Sequence, residues 1–247
     1  MSIKKILLLC CTAAFMHSCS NDLSYDGETK TVFEGRILDN DNQPLSNILV
    51  SIKLQKYDDY QESFIYTGGG HGDSYIISYV RTDENGNYRM IFPMSTNQDN
   101  IVLQINAPVN TIAVNEDYSY TLITNIQDEN IHLHKLDFGD QQLLKLENKT
   151  TLKVTLTDIP EYFYDQNILA GLEGIVANKV IYYNTPNLNY GQNPITGADG
   201  TNIEYTFEVA KNQNVVFTYR ADANATPHEF TIPIGAEAVN TSIEFQP

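Results

Sequence analysis

Residues able to do chemistry are few in this chain of 247 residues. His132 and His134 form a His-x-His pair, and strand alternation would put both on one face. A metal needs at least a third ligand, and none is identifiable. A zinc peptidase needs His-x-x-Glu plus a distant His beside an open coordination position; none of the five histidines begins that pattern. Asp39-x-Asp41 and Asp83-x-Asn85 offer oxygens to calcium, but neither has the full loop spacing or a closing bidentate Glu. Turn formation by Asp and Asn explains both. Gly68 to Ser74, with His71 and Asp73 inside it, is the most unusual run. A Gly-rich loop can cradle phosphate, yet no Lys-Ser/Thr follows and no helix starts there. The run reads as a loop tip. No nucleophile–base pair or metal triad assembles from these residues. The expectation is a protein without catalytic residues, cofactor or metal.

Aromatic residues are the better binding signal. Tyr57, Tyr60, Phe64 and Tyr66 crowd the stretch beside the Gly-rich tip and His71. Tyr162, Phe163 and Tyr164 form a second cluster, and Tyr182, Tyr183 and Tyr190 a third. Tyr offers rigid contact area to sugars and proteins, and loops on rigid β scaffolds carry function. Against this, Tyr also favours half-buried strand faces, and Trp, the strongest sugar platform, is absent. The predicted binding residues are Tyr57, Tyr60, Phe64, Tyr66 and His71.

The N-terminus has the parts of an export signal. Lys4 and Lys5 precede the apolar run Ile6 to Met16, which is too short for a spanning helix of about 20 residues. Ser18-Cys19-Ser20-Asn21-Asp22 follows. This resembles the lipobox of bacterial lipoproteins, in its looser Bacteroidetes form. Met16 and His17 stand where the pattern prefers Leu and a small residue. The resemblance implies cleavage before Cys19 and acylation of its thiol. It also accounts for the cysteines: Cys10 and Cys11 would leave with the signal, so Cys19 would be a lone thiol if it were not acylated. Several acyl chains give stable anchoring, at about 0.8 kcal/mol per buried methylene. Residues 20–30 read as a flexible tether reaching roughly 35 Å when extended. Asp22, Asp26 and Glu28 in it resemble the acidic surface-export signal of Bacteroidetes lipoproteins.

The chain carries 15 basic and 31 acidic residues, net −16, and loss of Lys4 and Lys5 with the signal takes it to about −18. Such a charge repels polyanions, and no basic stripe exists to neutralise phosphates. Nucleic acid is excluded as a partner.

Val, Ile, Thr, Tyr and Phe are plentiful and no long 3.6-residue apolar period appears, which points to an all-β chain. Thr31 to Leu38 reads as a first strand. Ile48, Val50, Ile52 and Leu54 share one face of a second. Tyr75 to Arg81 and Tyr88 to Phe92, the latter ended by Pro93, flank the turn Thr82 to Tyr88. Gly35-x-Ile37-x-Asp39, Gln43-Pro44-Leu45-Ser46-Asn47-x-x-Val50 and Thr82-Asp83-x-x-Gly86-x-Tyr88 resemble the carboxypeptidase regulatory-like domain. That resemblance implies a transthyretin-like β-sandwich with no catalytic role. Ile101 to Ala107, Tyr118 to Thr124 and Ile131 to Leu136 would complete it. Asp137 to Leu144 reads as a boundary. Beyond it, 151–157, 179–183, 202–209, 215–219, 229–234 and 241–245 alternate as strands of a second β-sandwich.

The predicted organisation is a signal peptide over 1–18, a lipidated tether over 19–30, a carboxypeptidase regulatory-like sandwich over 31–137 and a second sandwich of unknown family and topology over 149–247. The expected protein is an outer-membrane lipoprotein facing the cell exterior. It would bind or adhere without catalysis, as an accessory to nutrient capture, through an extracellular glycan or protein. The alternative is a structural subunit or anchor of a cell-surface assembly, joined through exposed edge strands.

Overall fold

The computed structural model describes residues 25–55, 74–95, 100–109, 112–126, 131, 134–160, 168–183, 195–196, 202–221 and 225–247. Alternating apolar residues build two β-sandwiches, as the all-β reading required. The first contains β1 (Tyr25–Leu38), β2 (Leu49–Gln55), β3 (Ser74–Arg81), β4 (Asn87–Ser95), β5 (Asn100–Ile105), β6 (Thr121–Ile126) and β7 (Lys135–Gln142). One sheet has the order β4-β1-β7. The facing sheet carries β6, β5, β2 and β3 in that order. Phe33, Ile37, Val50, Ile52, Leu54, Met90, Phe92, Leu103 and Ile105 are buried between them. Phe33 meets Phe92 and Phe138 edge to face at 5.0 and 5.1 Å.

Three expectations change here. β1 begins at Tyr25, so residues 25–30 extend the strand rather than the tether; Tyr25 pairs with Ser95 and Lys30 with Pro93. β4 runs through Pro93 to Ser95. It is an edge strand, where a missing N–H is tolerated. Asp137 to Gln142 is no boundary. It forms most of β7, parallel to β1, with Glu34 opposite Asp137 and Leu38 opposite Gln142. Leu143 and Leu144 are fully buried, and Leu143 joins the first core.

The second sandwich contains β8 (Lys149–Thr157), β9 (Leu169–Glu173), β12 (Ile203–Ala210), β13 (Gln213–Arg220), β14 (His228–Ile234) and β15 (Val239–Glu244), with the two-residue β11 (Ile195–Thr196) at an edge. Its sheets are β11-β12-β8-β15 and β14-β13-β9. Leu152, Val154, Leu156, Tyr205, Val215, Phe217 and Tyr219 fill the space between. Its pairing repeats that of the first sandwich. β8 lies antiparallel to β12 and parallel to β15, as β1 does to β4 and β7. β13 lies antiparallel to both β9 and β14, as β5 does to β2 and β6. The topology that sequence left open is therefore the topology of the first sandwich, without any repeat of its motif.

One strand breaks the correspondence. β3 pairs with β2, but β10 (Lys179–Tyr182), which follows β9 in the chain, does not pair with β9. It pairs parallel with β6 of the first sandwich, Lys179 opposite Thr121 and Tyr182 opposite Thr124. The crossing is held at its start. Gln213 accepts from the Ile175 N–H at 2.9 Å and donates to the Ile175 and Ala210 carbonyls at 2.8 and 3.0 Å. The Ala177 N–H donates to the Glu208 carbonyl, and Asn178 turns the chain with φ 54°. β10 then uses both faces. Ile181 and Tyr183 pack on the first core, and Val180 on an outer cluster of Val102, Ala107 and Leu122. The reading of 179–183 as a second-sandwich strand is corrected: it completes a five-stranded sheet, β10-β6-β5-β2-β3.

This placement predicts that Ile181→Ala lowers the stability of the first sandwich by about 2 kcal/mol, the low end for a partly buried Ile. Urea unfolding followed by Tyr fluorescence and by hydrogen exchange at β5 and β6 measures it. A loss confined to β8–β15 would contradict the placement.

Candidate functional site

The motif residues converge on one end of the first sandwich. Asp39 Oδ1 accepts from the N–H groups of Asp41 and Gln43, both at 2.8 Å. Asp83 Oδ1 does the same for Asn85 and Asn87, at 2.9 and 2.8 Å. The two Asp-x-Asp/Asn pairs are thus turn caps. Among the described residues, no group of three His, Cys, Asp or Glu is placed to hold a metal ion. Hydrogen bonds from the Asn87 and Asn85 N–H groups, chiefly the former, hold the Asp83 carboxyl below its ordinary range. Thr82 Oγ1 accepts from the Ile48 N–H at 2.9 Å and donates to the Leu45 carbonyl at 2.6 Å, tying the turn to the Pro44-Leu45 segment.

Two glycines are required there. Gly86 has φ 77°, and a Cβ would strike the Ile37 carbonyl oxygen. Gly35 lies under Tyr88, whose hydroxyl is 2.7 Å from where a Cβ would stand. The Tyr88 ring fills the space above Gly35. Its hydroxyl is buried without a hydrogen-bond partner among the described residues. Burial, and then the nearby Asp137 charge, push its pKa up. Each residue of the Thr82-Asp83-x-x-Gly86-x-Tyr88 motif that was singled out has a structural task.

A groove of about 640 Å³ opens beside this junction, lined by Glu34, Arg36, Arg81, Arg89, Asp137 and Asp140 among others. Its cations are engaged. Arg36 Nε donates to the Asn85 carbonyl at 3.0 Å. Arg81 donates to the Asn47 and Ala113 carbonyls at 2.9 and 2.7 Å. Glu34 pairs with Lys135 at 2.6 Å and with Arg89 at 3.6 Å. These contacts brace loops and strands.

At the opposite end of the first sandwich, the strands of the five-stranded sheet adjoin the aromatic stretches in sequence. The pairings Gln55–Ser74, Gln55–Asn100, Ile101–Ile126 and Thr124–Tyr182 place the ends of β2, β3, β5, β6 and β10 in one row. The chain into and out of residues 56–73, and into 184–194, therefore leaves from one end. The predicted binding residues Tyr57, Tyr60, Phe64, Tyr66 and His71 lie outside the described residues, as do Cys19, His132, Tyr162, Phe163, Tyr164 and Tyr190. His134 is described, and it sits in a turn with φ 62° before β7, not on a strand. Tyr183 is a packing residue, its ring 5.9 Å from that of Phe138. What the sequence missed is a juxtaposition: the parallel pairing of β10 brings the start of the third Tyr-bearing stretch to the end of the sheet at which β2 stops and β3 begins. No local pattern signals it.

In the second sandwich the polar groups also serve packing. Tyr219 Oη accepts from the Gln246 N–H at 2.7 Å, and its ring stacks near His228, Phe230 and Phe245 at 5.0, 6.0 and 5.5 Å. The Tyr205 hydroxyl, pushed up to about 12 by burial, has no hydrogen-bond partner among the described residues.

No family model matches the chain, and no curated protein matches it. Solved structures match distantly. A 3-chlorocatechol 1,2-dioxygenase from Rhodococcus opacus 1CP matches with TM-score 0.30 and 16% identity over 51% of this chain and 62% of its own. GBS52, the minor pilin of Streptococcus agalactiae, matches with TM-score 0.26 and 10% identity over 87% and 94%. A family CBM26 module of Eubacterium rectale Amy13K, solved in complex with maltoheptaose, matches with TM-score 0.28 and 11% identity over 88% and 94%. Likeness at this level identifies no family or function.

The caps predict two effects. Gly86→Ala destabilises by about 2 kcal/mol or more, because both φ and contact oppose a Cβ, with thermal unfolding as the measurement. Asp83 has a lowered folded pKa, so its contribution is present above the unfolded value of 3.8 and is lost as pH falls through the folded pKa. Asp83→Asn therefore flattens the acid side of the stability profile below about pH 4. Equal slopes for variant and parent between pH 5 and pH 2 would refute this.

Proposed function

We propose that this chain is a lipid-anchored β-sandwich protein of the outer membrane, facing the cell exterior. It binds a glycan or protein without catalysis, and its first sandwich is of the carboxypeptidase regulatory-like type. The observation that carries the reading is the position of Cys19. It follows the Lys4-Lys5 and Ile6–Met16 signal features, and only residues 20–24 separate it from the start of β1. Five residues reach roughly 18 Å when extended. Acylated at Cys19, the protein holds its first sandwich close to the bilayer, with the Tyr25 end of β1 nearest.

That end is also the one from which residues 56–73 and 184–194 depart. Binding through Tyr57, Tyr60, Phe64, Tyr66 and His71 is thereby directed to a partner at the membrane surface, such as a component of a nutrient-capture assembly. A second reading, a structural subunit or anchor of a surface assembly, draws support from β9. It has one neighbour, β13, among the described residues, and an edge strand of this kind accepts an added strand.

Protease accessibility on intact cells tests the anchor. The wild-type protein is expected to be removed by external protease, and Cys19→Ala to leave the membrane fraction. Protection of the wild type until the outer membrane is broken places it in the periplasm; membrane retention of Cys19→Ala overturns the lipid anchor. Joint replacement of Tyr57, Tyr60, Phe64 and Tyr66 by Ala is expected to abolish co-purification of the surface partner while leaving the thermal midpoint unchanged. Loss of binding in a chain altered at Tyr162, Phe163 and Tyr164 alone would point elsewhere.

A further inference from the structure

We infer that the fold is built to carry tension along the chain. In each sandwich the strand that enters and the strand that leaves are neighbours and run parallel. β1 pairs with β7 at six register positions, from Val32–Lys135 to Leu38–Gln142. β8 pairs with β15 at six, from Val239–Leu152 to Glu244–Thr157. A pull on the N-terminal end of β1 against the C-terminal end of β7 acts in opposite directions along one shared axis. It loads every bond between the two strands at once. An antiparallel terminal pair would bring both ends to the same side, and tension would open its bonds one after another.

The placement of the entering strands adds to this. β1 and β8 are interior, each flanked on both sides, by β4 and β7 and by β12 and β15. Neither can slide without breaking two ladders. Both are also seated by side chains with no exposure, Phe33 and Ile37 in β1 and Leu152, Val154 and Leu156 in β8. Sliding by one residue would turn those side chains to the opposite face.

The passage between sandwiches is doubled as well. The covalent link runs from β7 to β8 through residues 143–148. It is stitched by the Leu143 N–H to the Leu38 carbonyl and by the Lys211 N–H to the Asn148 carbonyl. β10 supplies a second route. It leaves the second sandwich at Ile175–Asn178 and is held in the first by its pairing with β6 and by Ile181 and Tyr183. Load arriving from the second sandwich is shared between the β7 link and β6.

This inference rests on the anchored reading for the direction of load, since a lipid at Cys19 fixes one end. The strand geometry does not depend on lipid. Single-molecule force spectroscopy on the whole, non-lipidated chain, held through tags at its two ends, tests it. The comparison is the same chain held through Asp41→Cys and Glu147→Cys, with Cys10, Cys11 and Cys19 replaced by Ser. Residues 41 and 147 are exposed and lie just beyond the C-terminal ends of β1 and β7. Pulling there separates the two strands from one end. The first-sandwich unfolding force is expected to be several-fold higher in the end-to-end geometry, with equal thermal midpoints in the two proteins. Equal or lower force end to end overturns the inference and leaves the lipid anchor untouched. Release of Cys19→Ala from membranes is judged separately and does not bear on the force.

Discussion

Backbone pairing at the outer edge of β6 is the interaction on which the arrangement of the two halves depends. A strand edge presents unpaired N–H and C=O groups that must find partners. In the first sandwich that edge is met by Lys179–Tyr182, a segment 53 residues beyond Ile126 in the sequence. The same four residues insert Ile181 into one core and lay Val180 on an outer apolar cluster. Their loss would uncover backbone and apolar surface together. The sandwiches are consequently interlocked, whereas two domains joined by a linker alone would be free to separate.

The interlock follows from a repeated architecture with one strand reassigned. Both halves use an entering strand between an antiparallel and a parallel neighbour. In both, the middle strand of the facing sheet, β5 or β13, is antiparallel to each of its neighbours. Their sequences do not repeat the Gly-Ile-Asp, Pro-Leu or Thr-Asp-Gly-Tyr elements. A sandwich asks only for apolar alternation on inward faces, so many sequences satisfy one topology. In the first half the motif residues solve a local problem, the crossing of the β3–β4 turn over the β1–β2 loop. In the second half that problem is absent, because the strand in the β3 position has left for the other sheet.

The same economy explains why polar residues that resemble site residues are structural. Asp39 and Asp83 satisfy backbone donors in tight turns, Thr82 bridges two segments, and Arg81 gathers carbonyls from two loops. Buried or turn-bound backbone groups need partners, and a loop-rich sandwich has many such groups. The proposed binding residues belong to stretches that continue from the other end, at the row of strand termini of the five-stranded sheet.

Sequence by itself determined most of the strands, because alternation with period two and turn residues are local properties; β9 was not among those read, and the expected strand 131–136 overlaps β7 only at Lys135 and Leu136. The inward faces of β2 and β8, and the turn at Gly86, were legible for that reason. The proposal for the N-terminal segment likewise rests on order alone, with Lys4, Lys5, an apolar run and then Cys19. Strand bounds were less legible: β1 reaches back to Tyr25 and β4 continues through Pro93, because pairing partners extend a strand beyond its own alternation. Which strands pair was decided only by tertiary structure. Ile181 and Val180 alternate like any strand of the second half, and nothing within residues 179–183 names β6 as a partner. That choice depends on a free edge, on the turn held by Gln213 and on apolar surface contributed by residues far away in the chain, and it is what brings Tyr182 and Tyr183 to the end of the sheet at which β2 stops and β3 begins.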